Sequence, residues 1–164
     1  MNEPIKIECG MSVDERGKIV FLNDPFKDFV PKRMYIVENH FPRFVRAWHG
    51  HAIESKLIKV VSGAALIGTV PLDYLKLLNE EATYTDRAKF KMPDKYRGTS
   101  PRMITLNEGG RALLVPPGHA NGAMTLLPGT KILYFSDKTL EESNSDDQRF
   151  DWDIIPGVWK VEQR

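Results

Sequence analysis

The sequence predicts an all-β fold, a sandwich or barrel of short strands that carries one short helical insertion. Residues 33–37 (RMYIV), 56–61 (KLIKVV), 64–70 (AALIGTV), 112–115 (ALLV) and 131–135 (KILYF) are short runs rich in β-branched and aromatic residues, separated by Gly, Pro or Asn. Alternating βαβ units would need long amphipathic helices between these runs, and few segments have that pattern. With 164 residues the chain suits one domain over 1–164 with a sizeable core of its own.

Taken in order, the run at 33–37 opens the strand-rich body, and the segment around His49 and His51 reads as a further strand. The runs 56–61 and 64–70 follow, divided by Gly63. Residues 71–92 are the exception to the β rhythm: Leu72, Leu75, Leu77 and Leu78 suit one face of a short helix inserted between strands, near the mouth of a site. After the runs at 112–115 and 131–135, the polar stretch 137–149 has almost no core-forming side chains and reads as a surface connection. The final DWDIIPGVWKVEQR returns aromatic residues to the body.

Composition narrows the function classes. A formal net charge of +1 supplies no broad basic field, so nucleic acid is not an expected partner. The single Cys9 leaves no intramolecular disulfide framework, and neither a signal-peptide pattern nor a membrane-length apolar run is present, so the expectation is a cytoplasmic protein away from the membrane.

Two segments carry the most information, Arg46-Ala47-Trp48-His49-Gly50-His51 and the stretch from Gly110 through Pro116, Pro117 and Gly118 to Asn121. Their spacing resembles the two half-motifs of the cupins, which implies a jelly-roll β-barrel. With Gly63 fixing the register, Lys56 falls where a metal cupin has its carboxylate ligand, and Asn121 falls where it has its third histidine. An ammonium repels a divalent cation and an amide is a poor transition-metal ligand, so no metal is expected. Glu54 is a weak substitute, since on a strand an odd separation from His49 and His51 turns it to the other face.

The same residues suit proton transfer. His49 and His51 lie two apart, so a strand presents both on one face, and in a barrel that face can be the interior. A neutral imidazole is a natural proton abstractor near neutral pH, and a buried Lys56 stabilises developing negative charge. Tyr134, in the strand-like KILYF run, offers a phenol as a proton donor or a core ring with its hydroxyl at the rim. Asp153, between Trp152 and Ile154, has apolar neighbours that suit a buried partner for a histidine or a capping turn. Arg16, Arg43 and Arg46 are candidates for anion recognition, Arg46 foremost because it lies three residues before His49.

Over nearly its whole length the chain resembles the dTDP-4-dehydrorhamnose 3,5-epimerases and their relatives acting on nucleotide-linked 4-keto sugars. The matching stretches are Asp14-Glu15-Arg16-Gly17, Asn39, Arg46-x-x-His49, Lys56-Leu57 with Val60, Val61 and Gly63, Leu114-Val115-Pro116-Pro117-Gly118, Leu133-Tyr134 and Trp152-Asp153. The resemblance implies a cupin barrel, a homodimer, no cofactor, and a nucleotide-sugar substrate from carbohydrate biosynthesis such as that of lipopolysaccharide or capsule. It implies His49 as general base with Asp153 as its partner, Lys56 as the enolate stabiliser and Tyr134 as the acid on the opposite face. Arg16, Asn39, Arg46, His51 and Asn121 are the implied substrate contacts. The Pro-Pro-Gly-x-x-Asn-Gly form around Asn121 is similar to that of epimerases acting on GDP-linked 4-keto heptoses. The Arg46-x-x-His49-x-His51 spacing is also similar to that of the sugar-nucleotide 3,4-ketoisomerases, whose reaction is the alternative expectation; a non-catalytic sugar-nucleotide-binding cupin is the third.

Overall fold

A computed structural model describes residues 3–23, 26–27, 29–83 and 92–160. In chain order the strands are β1 (Ile5–Ile7), β2 (Cys9–Asp14), β3 (Gly17–Leu22), β4 (Arg33–Glu38), β5 (Val45–His51), β6 (Lys56–Ser62) and β7 (Ala64–Pro71). Helix α1 (Leu72–Thr83) follows, then β8 (Arg102–Asn107), β9 (Ala112–Val115), β10 (His119–Thr125), β11 (Lys131–Ser136), helix α2 (Leu140–Asp146) and β12 (Gln148–Arg149). The all-β expectation holds, and the five strand-like runs all form strands.

Two five-stranded antiparallel sheets face each other. The first has the order β1-β9-β6-β11-β4 and the second β12-β5-β10-β7-β8, while β2 and β3 form a separate two-stranded ribbon. Among the described residues no ladder joins the two sheets into a closed barrel, so the expected jelly roll is an open one. Between the sheets, Ile58 and Val60 of β6, Ala65 and Ile67 of β7, Ile104 and Leu106 of β8, and Ile132 and Tyr134 of β11 form the central core. Each set is spaced two apart, the spacing that puts side chains on one face of a strand.

The strands not singled out in the sequence show why they were hard to find. β10 (HANGAMT) is a central strand buried along its whole length, yet it has no Val, Ile or aromatic residue. Small residues are needed there because the outer face of the second sheet is covered closely: a Cβ on Gly122 would lie 2.9 Å from the Trp159 ring and 3.1 Å from the Ala47 backbone. β5 and β10 lose register between Asn121 and Ala123, so an irregularity in the ladder resets which β5 residues face inward.

Helix α1 begins where the apolar Leu pattern places it, but it is not at a site mouth. Leu72 lies against Gly50, and Leu75 packs with Trp48, Val70, Ala120, Met124 and Trp159 on the outer face of the second sheet. The rest of the expected insertion, from 84 to 91, falls outside the described residues. The 137–149 stretch departs further from expectation. It contains α2 and β12, and Ser143 and Asp146 are buried. Thr139 caps α2, its hydroxyl accepting from the Glu142 N–H at 3.2 Å while the Glu142 carboxylate accepts from the Thr139 N–H at 2.8 Å. No helix of the described residues is long and apolar enough to cross a membrane.

Two substitutions test this packing by denaturant unfolding. Ile132→Ala, which opens a hole at a fully buried core position, is expected to cost about 2–5 kcal/mol. Thr139→Ala is expected to cost about 1 kcal/mol by removing the cap of α2.

Candidate active site

The inner ends of β5, β6 and β10 gather the polar residues. His51 stands opposite His119 and His49 opposite Asn121 in the β5–β10 ladder, while Lys56 of β6 is paired with Val115 on one side and Ser136 on the other. Alternation along β5 turns Gly50 outward under Leu72 and leaves His49 and His51 facing inward.

His49 is the open member of the group, with 38% of its side chain exposed. Its Nδ1 lies 3.4 Å from Asp147 Oδ1, and Asp147 Oδ2 accepts from Arg149 Nε at 2.7 Å. Burial pushes the His49 pKa below the ordinary imidazole value, partly offset by the Asp147 carboxylate. Burial alone would raise Asp147, but Arg149 and His49 outweigh it and hold the carboxyl below its usual range. An imidazole that is neutral at physiological pH and oriented by a carboxylate is suited to remove a proton.

Behind it lies a closed charge cluster. Lys56 Nζ is 2.7 Å from His51 Nε2, and His51 Nδ1 is 2.9 Å from Glu54 Oε2, a close approach that is off the hydrogen-bond line. Glu54 also accepts from Arg33 Nη2 at 3.2 Å and from the Ser143 hydroxyl at 2.7 Å. Burial would raise the Glu54 pKa, yet His51, Lys56, Ser136 and Ser143 together hold it well below the usual carboxylate range. Lys56 is pulled down by burial, with Glu54 and Asp147 opposing that pull.

Glu54 corrects the parity argument made from sequence. It is not on β5 but in the turn after it, where Asp146 accepts the Ala52, Ile53 and Glu54 N–H groups at 2.8, 2.9 and 3.2 Å, and Asp137 accepts that of Ser55 at 2.8 Å. This turn directs the carboxylate inward, so strand alternation no longer applies. Lys56 Nζ stands 2.7 Å from His51 Nε2, in the space a metal ion on that nitrogen would have to take. Among the described residues no group of three or more His, Cys, Asp and Glu side chains is arranged to hold a metal ion.

On the opposite sheet, Tyr134 stacks on Tyr35 with ring centroids 5.0 Å apart and planes 3° from parallel, and the Arg33 guanidinium lies 5.1 Å from the Tyr35 ring centre. Burial drives both phenols well above the ordinary tyrosine range, so each keeps its proton. Toward the other end of β5, Arg46 Nε donates to Asn39 Oδ1 at 2.8 Å, and Asn39 Nδ2 donates to the Phe44 carbonyl at 3.2 Å. Buried Asn121 donates to the His49 carbonyl at 3.2 Å.

Two expected site residues stand apart. Asp153 is exposed beside Leu78, Asn79 and Asp151 on the outer side of the second sheet, so it is not the partner of His49. Asp147 fills that place, because β12 pairs Arg149 with His49 and carries the preceding aspartate to the imidazole. The apolar flanks of Asp153 pointed to burial, but Trp152 is itself half exposed. Arg16 sits at the turn of the β2–β3 ribbon, paired with Asp14 and with 81% of its side chain exposed. Asp146 and Arg33 were not singled out from the sequence, and Glu54 was considered only as a ligand and set aside by parity; the acidic pair at 146–147 was visible, but not the pairing that carries it inward.

No family model and no curated protein matches this sequence. Several solved structures match the fold. The dTDP-4-dehydrorhamnose 3,5-epimerase of Bacillus anthracis, solved with TDP and pyrophosphate, has a TM-score of 0.66 and 23% identity over 91% of this chain and 79% of its own. A sugar 3,4-ketoisomerase of Thermoanaerobacterium thermosaccharolyticum, in complex with TDP, has a TM-score of 0.63 and 16% identity over 92% and 90%. A 3′-monoepimerase of Streptomyces bikiniensis, in complex with dTDP-quinovose, has a TM-score of 0.68 and 14% identity over 92% and 70%. The chain therefore has the fold of the cupins built like the dehydrorhamnose epimerases.

The cluster has a pH signature. The folded Glu54 pKa lies below its unfolded value, so the carboxylate contributes stability above the unfolded pKa of about 4.3 and loses it as pH falls toward the folded pKa. Glu54→Gln should be less stable than wild type at pH 7, and urea titrations should show the gap shrinking below about pH 4. A gap independent of pH would mean that Glu54 is not ionised in the fold.

Proposed function

We propose that this protein is a metal- and cofactor-independent epimerase of a nucleotide-linked 4-keto sugar, acting at C3 or at C3 and C5. The observation that carries the reading is an imidazole held by a carboxylate and a buried phenol on facing sheets: His49 with Asp147 beside the second sheet, Tyr134 on the first. The nucleotide and nucleotide-sugar ligands of the structural neighbours agree with the substrate class.

A 4-ketone makes the hydrogens on C3 and C5 acidic. His49 removes one, and the electron pair moves into the C=C–O⁻ of an enolate. The Lys56 ammonium meets the negative charge on that oxygen, the electrostatic task that a metal has in other cupins. Tyr134, which burial keeps protonated, returns a proton to the carbon from the opposite face, so the centre inverts. We assign Arg46, hydrogen-bonded to Asn39, to the diphosphate, and buried Asn121 lies beside His49. We assign Arg16 to the diphosphate as well, in a homodimer where the β2–β3 ribbon, with exposed Met11, Val13, Ile19 and Phe21, lies against a second copy.

One observation favours a second reading, the 3,4-ketoisomerase. Lys56 paired with His51 puts another proton carrier on the His49 side of the interior. In that reaction the C4 oxygen gains a proton, the C3 hydroxyl gives up its own as C3 becomes the carbonyl, and the proton taken from C3 returns to the C4 carbon from the same face, so no far-side acid is needed.

The test is to offer dTDP-, GDP- and CDP-linked 4-keto sugars in deuterated water and to locate exchange and configuration by NMR. Inversion with deuterium at C3, or at C3 and C5, is expected; a 3-keto product would select the ketoisomerase, and no exchange with any substrate would sink both. His49→Ala should lower exchange by about 10²–10⁴-fold. Tyr134→Phe should retain proton loss while losing inversion. The rate should fall in acid as His49 protonates, with a midpoint below the free imidazole value. Because Asp147 raises the His49 pKa, Asp147→Asn should move this limb to still lower pH and reduce the plateau.

A further inference from the structure

Glu54 has no part in the chemistry described above, yet it is the most enclosed charged side chain of the cluster, with none of its side chain exposed. It is held from three sides. Arg33 reaches it from β4, Ser143 from α2, and the turn that carries it is fixed by Asp146. A carboxylate so tightly placed sets the state of what it touches.

What it touches is His51. The Nδ1 edge of the ring faces Glu54 Oε2 at 2.9 Å and Asp146 Oδ2 at 3.7 Å, both acceptors. The Nε2 edge faces the Lys56 amine at 2.7 Å, a donor, with Asp147 Oδ1 more distant at 3.8 Å. The tautomer that agrees with both edges carries its proton on Nδ1 and presents the Nε2 lone pair to Lys56. We propose that Glu54 is a positioning residue that fixes His51 in this tautomer and, through it and through its own charge, keeps Lys56 a cation aimed at the substrate oxygen.

The charges around Lys56 agree with this. Glu54 Oε2 is 3.9 Å from Nζ, Asp146 and Asp147 add negative charge from the end of α2 and the residue after it, and Arg33 of β4 opposes them. Burial works against the ammonium, and Glu54 is the largest of the influences that restore it. Without that carboxylate, Lys56 loses its proton at a lower pH. The inference rests on the proposed enolate chemistry for its consequence to catalysis, but not for its structural content.

The test has one arm without substrate and one with it. Long-range ¹H–¹⁵N spectra of the wild-type protein should show His51 protonated on Nδ1 and bare on Nε2; a proton on Nε2 would overturn the proposal. In Glu54→Gln, of nearly the same shape, the Lys56 titration followed by ¹³Cε shift should fall by about one pH unit or more, and an unchanged titration would overturn it. With a turned-over 4-keto sugar, Glu54→Gln should lower kcat about 10–100-fold with little change in KM and move the alkaline limb to lower pH. A purely structural role would change the amount of folded protein and leave that limb in place. If the tautomer and the Lys56 titration are as expected but no 4-keto sugar is turned over, the positioning role stands and the proposed function falls.

Discussion

A lysine ammonium at the inner end of β6, 8% exposed, is the constraint to which the surroundings answer. An unpaired buried charge is costly enough that a side chain ordinarily gives up its proton instead. Burial lowers the Lys56 pKa, and Glu54, Asp147 and Asp146 oppose that with negative charge nearby; those residues arrive only through particular pieces of backbone. Lys59, on the opposite face of the same strand, shows the other solution: its ammonium is held by the carbonyls of Val60, Glu108 and Gly110, with no chemistry attached. One buried lysine is neutralised by backbone dipoles, the other by acids that also touch histidine.

The pieces of backbone are the turn 52–55 and helix α2. Asp146 takes three consecutive N–H groups of the turn, which removes their need for water and directs Glu54 inward. The capping box at Thr139 and Glu142 starts α2, and Ser143 on the same helix reaches Glu54. β12 then pairs with β5 beside His49 and delivers Asp147. A short polar stretch that looks like a surface connection is the back wall of the site. Its stability and the orientation of the two histidines are therefore coupled.

The fold itself leaves the reaction open, because the same architecture serves an epimerase and a ketoisomerase among the neighbours. In the proposed chemistry, what separates the two reactions is which wall returns the proton. Here His49 is open to solvent while His51 is enclosed between Glu54 and Lys56, so the two histidines of one strand have unequal access to a ligand. That inequality leaves His49 as the histidine a ligand can reach and His51 as the one in contact with Lys56.

The sequence by itself determined the β architecture and the register of the two half-motifs. Turn residues bounded the apolar runs, and the period of two put His49 and His51 on one face, with Lys56 and Asn121 at the positions that the motif spacing assigns them. It did not reveal β10, whose small residues answer to the close cover of Trp159 and Ala47 and not to strand propensity. Nor did it reveal Asp147 in place of Asp153, or the inward turn of Glu54. Parity holds only while a chain stays in a ladder, and both carboxylates lie where it leaves one. Which acid meets which base across about ninety residues of chain was decided by the packing of α2 and β12 against β5, a tertiary contact that no local pattern encodes.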